Sequence, residues 1–136
     1  MTGLTLVQHE EPLAVVRLGP GSEIPDWATG ATVFSVTATA TETSLVCGRA
    51  GVPRKAKQRG PFTAFSVAGT IDFSLSRLLA PLAEADVPAF TISTYDTDWV
   101  LVPARSADTA VEAWRGAGLA IASADEPTDQ HAREGS

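Results

Sequence analysis

Cysteine is almost absent: Cys47 stands alone in 136 residues, so no disulfide framework can form within the chain. Long hydrophobic runs are missing too. The purely apolar stretches are a few residues each, far short of the ~20 needed to span a bilayer, and no membrane partner is expected. The N-terminus MTGLTLVQHEE has no basic segment followed by an apolar one, so no secretory signal is expected. Positive charge is scarce, with 10 Lys and Arg against 16 Asp and Glu, for a net charge of −6. Binding to a phosphate backbone needs a basic surface, so nucleic acid is not an expected partner. With 44% hydrophobic and 19% charged residues, the chain has an ordinary globular composition and is expected to be cytoplasmic.

Catalytic constellations are lacking as well. The sequence contains no glycine-rich phosphate loop and no His, Cys, Asp and Glu cluster at metal spacing, so neither a cofactor nor a metal is expected. Asp96 and Asp98 alone would leave a hard cation short of oxygen ligands. His9 and Cys47 could suggest a base and a nucleophile, but no third group is at hand to orient them. Cys47 closes an apolar strand and reads as an inert small hydrophobe. His131 falls in a polar tail. No catalytic residue is assigned, and an enzyme is not expected. Trp27, Trp99 and Trp114 all sit in apolar patterns, which suits core packing better than base stacking. Four of the ten basic residues crowd into Arg54-Lys55-Ala56-Lys57-Gln58-Arg59. No aromatic residue interrupts that run, so it reads as a solvated loop balancing an acidic body rather than a phosphate patch.

What is present is strand and helix patterning. Leu4–His9 and Leu13–Leu18 read as strands. After the Gly19-Pro20-Gly21 break, Ile24–Thr29 has room for about one and a half helical turns. Val33–Thr37 and Ser44–Cys47 are strands around a Thr-rich turn, and Gly48–Gly60 reads as a connector. Phe62–Ala68 is a strand. Leu75, Leu78, Leu79 and Leu82 then fall at helical spacing, with Pro81 expected to kink that helix or end it early. Phe90–Thr94 and Trp99–Val102 are strands. Ser106 is the expected cap of a last helix, with Asp108 in its first turn and Ala107, Val111 and Trp114 as its buried stripe. Gly116 or Gly118 would end it, and Leu119–Ala122 would be the final strand.

The second half therefore reads β-α-β-β-α-β, the ferredoxin-like order with helices on one face of an antiparallel sheet. The first half repeats part of it. Phe34, Thr41, Leu45 and Val46 match Phe90, Thr97, Leu101 and Val102 at a constant offset of 56 residues (90 − 34). Two copies at that period indicate duplication rather than a solenoid. The expectation is an α+β protein of two tandem ferredoxin-like modules, with eight or so strands and about four helices. Residues 1–60 would form a shortened first module, 61–123 the second, and 124–136 a disordered tail.

The stretch VAGTIDFSLSRLLAPLAEADVPAFTISTYDTDWVLVP, and within it Ile92 to Val102, resembles the second module of small bacterial ACT-domain proteins. Phe34–Cys47 resembles their matching first-module segment. Those proteins are similar to the ACT modules of CASTOR-type arginine sensors and, more distantly, to the regulatory domain of aspartate kinases. The resemblance spans roughly residues 10 to 123 and implies tandem ACT modules that bind a small ligand, typically an amino acid, without catalysis. It implies a ligand site in the loop Gly69, Ile71 and Asp72 and in the turn Thr94, Tyr95 and Asp98. A homodimer is also expected, because exposed sheet edges call for a covering strand. Asp98 could equally be a turn residue bonding its own backbone, and Asp72 a simple helix cap. The alternative function is an assembly or protein-interaction module that keeps the fold without the pocket.

Overall fold

The computed structural model describes residues 4–68 and 75–124. Eight strands of one mixed sheet are organised around the longest, β5 (Lys57–Ala68). Along one edge of β5 lie β1 (Thr5–Gln8) and β2 (Leu13–Leu18), end to end and both antiparallel to it. The other edge of β5 takes β7 (Thr97–Pro103) from Phe62 to Ala68, and β7 in turn pairs with β6 (Phe90–Ser93). Beyond β2 come β4 (Thr43–Gly48) and β3 (Ser35–Ala38). Beyond β1 comes β8 (Ala120–Ser123), parallel to it. Two α-helices, α1 (Ser76–Glu84) and α2 (Ala107–Gly116), complete the described elements apart from short 3-10 turns.

The order β5-α1-β6-β7-α2-β8 makes this an α+β, ferredoxin-like fold, as the periodicity suggests. Alternation along β5 sends Phe65 and Val67 to the helical side, where they meet Leu6, Val100, Val102, Leu78, Leu82 and Trp114. The indole of Trp114 donates to the Leu78 carbonyl at 2.9 Å and stands edge-on to Phe65, so one side chain ties both helices to the sheet. On the opposite face Leu13, Val33, Phe62, Ala64 and Leu101 pack with Val46, Ile92 and Trp99. The β3–β4 and β6–β7 hairpins thus approach each other across the side that carries no helix. A third cluster joins Ala14, Val16, Leu45 and Cys47 to Trp27 and Ala28.

Several expectations are corrected. The sheet is mixed rather than antiparallel, because β1 inserts between β5 and β8 and runs parallel to β8. Among the described residues two α-helices stand where about four were expected, and Ile24–Thr29 forms a single 3-10 turn, Asp26–Ala28. Pro25 and Gly30 bracket that segment and leave too few residues to close successive α-helical bonds. Pro81 does not end its helix, which runs on to Glu84. The missing N–H would have bonded the Arg77 carbonyl in the first turn, so one bond is lost while Leu78 and Leu82 hold the helix on the sheet. Ser106 occupies the capping position of α2, but its side chain makes no capping bond. The basic run is half strand, since β5 begins at Lys57.

The junction expected between residues 60 and 61 falls inside β5. Ala124 donates to the Gln8 carbonyl at 2.9 Å and so belongs to the ordered body rather than to a tail. The tail from Asp125 onward lies outside the described residues.

Candidate functional site

The β6–β7 turn is built from threonine. The Thr94 N–H donates to the Thr97 carbonyl at 2.8 Å, and the Thr94 hydroxyl donates to the same carbonyl at 3.1 Å. Thr97 N–H returns a bond to the Thr94 hydroxyl at 3.2 Å. A short polar side chain that bonds nearby backbone is what stabilises such turns. The β3–β4 turn repeats the pattern, with Thr39 bonded both ways to Glu42. Matched by these bonds, the two hairpins are offset by 55 residues (94 − 39), one fewer than the sequence matching indicates. A one-residue slip exchanges the faces of a strand, and the burial agrees with the shorter offset. Leu45 faces the 3-10 turn and Val100 the helices, whereas Leu101 lies on the opposite face.

Asp98 sits directly opposite Ser93 across the hairpin and accepts its hydroxyl proton at 2.6 Å through Oδ1. Sequence reasoning missed Ser93, although a four-residue turn closing at Thr94 and Thr97 necessarily faces residues 93 and 98. On its other side Asp98 pairs with Val67, whose side chain belongs to the helix-facing core. Cross-strand partners share a face, so Asp98 lies on the helical side of the sheet. Ala68 pairs with Thr97, so β5 ends beside this turn. Gly69, Ile71 and Asp72 lie outside the described residues. Tyr95 is fully exposed at the turn tip. Thr94 lines a hollow of ≈ 360 Å³ between the two hairpins, with Val33, Ser35, Ile92 and Trp99.

His9 and Trp99 lie next to this hollow. The His9 Nε2 is 2.8 Å from the Ser66 hydroxyl, and its ring tilts against Trp99 at 4.9 Å. Trp99 therefore packs as expected, while Ser66 beside His9 could not be foreseen, being 57 residues away. Cys47 is fully buried, and burial together with the Glu11 carboxylate raises its thiol above the ordinary value. Among the described residues no group of three or more His, Cys, Asp or Glu could hold a metal ion. No described helix is long and apolar enough to cross a membrane.

This geometry can be set beside known proteins. The family model of the ACT domain matches residues 60–115, from β5 through the turn to α2. Residues 60–115 are thus similar to an ACT domain. A second model, for the N-terminal domain of a further family, matches residues 11–55. No curated protein matches the chain. Among solved structures, a protein from Agobacterium tumefaciens superposes with a TM-score of 0.83 at 24% identity, over 92% of this chain and 96% of its own. A Vibrio cholerae protein described as a possible transport protein gives 0.69 at 14% identity, over 84% and 89%. The regulatory subunit of aspartate kinase from Thermus flavus gives 0.60 at 10% identity, over 86% and 99%. At these identities the likeness is one of fold.

Proposed function

We propose that the chain is a non-catalytic regulatory protein that binds a small molecule, an amino acid, beside the β6–β7 turn. The ACT domain and the regulatory character of the Thermus flavus subunit support a regulatory small-molecule role. The finer reading rests on one observation. Asp98 is on the helical face, directly across from Val67 near the end of β5. A carboxylate there suits the ammonium group of an amino acid, and charge-assisted bonds of this kind are among the stronger ones. The Ser93 hydroxyl would orient it. Thr94, Asp72 and the backbone of Gly69–Ile71 would supply the remaining contacts. In this reading the β2–β3–β4 portion is a first, shortened ACT-type module, as in the CASTOR-type sensors. The protein works in the cytoplasm as a homodimer.

Calorimetric titration of the standard amino acids into wild type and Asp98→Ala tests the site. Losing the Ser93 bond should cost about 1 kcal/mol of stability, while losing a desolvated charge partner should cost about 2–5 kcal/mol of ligand binding. Equal affinities for the two proteins would remove Asp98 from the site. If no amino acid binds, the assembly reading gains, favoured by the exposed Phe34 and Val36 around edge strand β3. Light scattering then decides it, since a monomer at tens of micromolar counts against both the dimer and the assembly role.

A further inference from the structure

The basic run Arg54–Arg59 divides in the structure. Lys57 and Arg59 fall within β5, on one face of the strand by alternation. Register sets Lys57 opposite Arg17 and Arg59 opposite Val15 on β2. Arg17, Lys57 and Arg59 line one cleft of ≈ 530 Å³, which Phe90 also borders. Arg59 and Phe90 are shared with an adjoining hollow of ≈ 400 Å³, walled by Pro61, Phe62, Pro88 and Pro103 and edged by Arg105. A cationic compartment and an apolar one thus meet along a common wall.

Two features distinguish this trough from a solvated face. Like charges directly opposite on neighbouring strands are destabilising, yet Arg17 and Lys57 are cross-strand partners in a chain of net charge −6. Glu42 contributes the carboxylate of the wall and approaches Arg17 at 3.5 Å. Among the described residues, no carboxylate lies within 4.0 Å of Lys57, Arg59 or Arg105. The apolar half is open as well: Phe90 remains 40% exposed while its ring stands edge-on to Phe62 at 5.1 Å. Local rules are broken in this way where a ligand completes the arrangement.

We propose that this trough binds a small phosphomonoester carrying a flat apolar group. The phosphate sits among Arg17, Lys57 and Arg59, and the flat group lies on Phe90 between the proline walls. A phosphate monoester carries close to two negative charges at neutral pH and offers three acceptor oxygens, which matches three converging cations better than a lone carboxylate. Guanidinium groups grip such oxygens in pairs. The site lies toward the Lys57 end of β5, whereas the Asp98 turn lies at the Ala68 end. Failure of one therefore leaves the other standing.

Backbone amide shifts of the full chain, followed while phenyl phosphate, inorganic phosphate and phenol are titrated separately, test the proposal. Phenyl phosphate should shift the amides of residues 15–17, 57–62 and 88–90 and bind roughly 10-fold or more tightly than either fragment. Arg59→Gln should weaken it by about 10-fold or more, Arg59→Lys by less, and higher salt should weaken it further. Phe90→Ala should reduce phenyl phosphate to the affinity of inorganic phosphate. Melting temperatures confirm folding, and Lys57→Gln stands in if Arg59→Gln is unstable. No localised shifts up to about 10 mM, shifts confined to other residues, or an Arg59→Gln variant that binds as well as wild type would each overturn it.

Discussion

At the scale of single residues, polar groups are settled by what faces them across a strand. Asp98 is held by Ser93, and Thr94 spends its hydroxyl on the turn that carries both. Cys47 is the opposite case, a titratable group with apolar surroundings. Burial, then the charge of Glu11, holds its thiol protonated above the ordinary range. The unfolded thiol ionises near about pH 8.5. Its contribution to stability is therefore complete below that pH and is lost as pH rises through it toward the native value. Melting temperature should fall more steeply above about pH 8.5 for wild type than for Cys47→Ala, although the variant starts lower because of its cavity. Parallel slopes would mean that ionisation of Cys47 does not couple to folding.

At the scale of elements, burial overrides propensity. Helix α1 carries Pro81 in its interior and has no side-chain cap, yet it forms because Leu78 and Leu82 are buried beneath it. Pro81→Ala restores one backbone bond. An interior helix proline costs about 3 kcal/mol, and losing its restriction of the unfolded chain returns about 1 kcal/mol, so a net gain near 2 kcal/mol is expected. Urea unfolding should show a higher midpoint at unchanged slope. An unchanged midpoint would mean that the ring itself packs well enough to offset the lost bond. The two hairpins show the same ordering of effects. Their shared turn chemistry sets the register, and the register decides which side chains reach the helices.

At the scale of the whole molecule, β1 binds the ends of the chain into one cooperative body. It joins β5 on one side and β8 on the other, and it places Leu6 in the main core with no exposure. Truncating a fully buried leucine to alanine alone costs about 2–5 kcal/mol, against a total stability of roughly 5–15 kcal/mol. Deleting residues 1–9 removes that side chain together with the pairing of β8, so the shortened protein should lose its native circular dichroism and amide spectrum. Residues 61–123 expressed alone should fail in the same way, whereas the full chain should melt in a single transition. A folded 61–123 fragment would show that the portion similar to an ACT domain stands without β1.

Much of the fold was legible because periodicity is local. The strand patterns of Leu13–Leu18 and Trp99–Val102, the leucine spacing of α1 and the Ala107–Trp114 stripe of α2 depend on neighbours a few residues apart, and each element formed where its pattern lay. The turn carrying Thr94 and Asp98 was legible for the same reason. Identities repeated at 56 residues pointed to two like hairpins, but only the hydrogen bonds set the offset at 55. Sequence matching scores identity, whereas a strand's register is decided by which face is buried. The insertion of β1 beside β8, the meeting of His9 with Ser66 and the convergence of Arg17, Lys57, Arg59 and Arg105 all join residues distant along the chain. Such contacts follow from how strands are ordered in the sheet, and that order is chosen by the burial of all the elements together rather than by any segment alone.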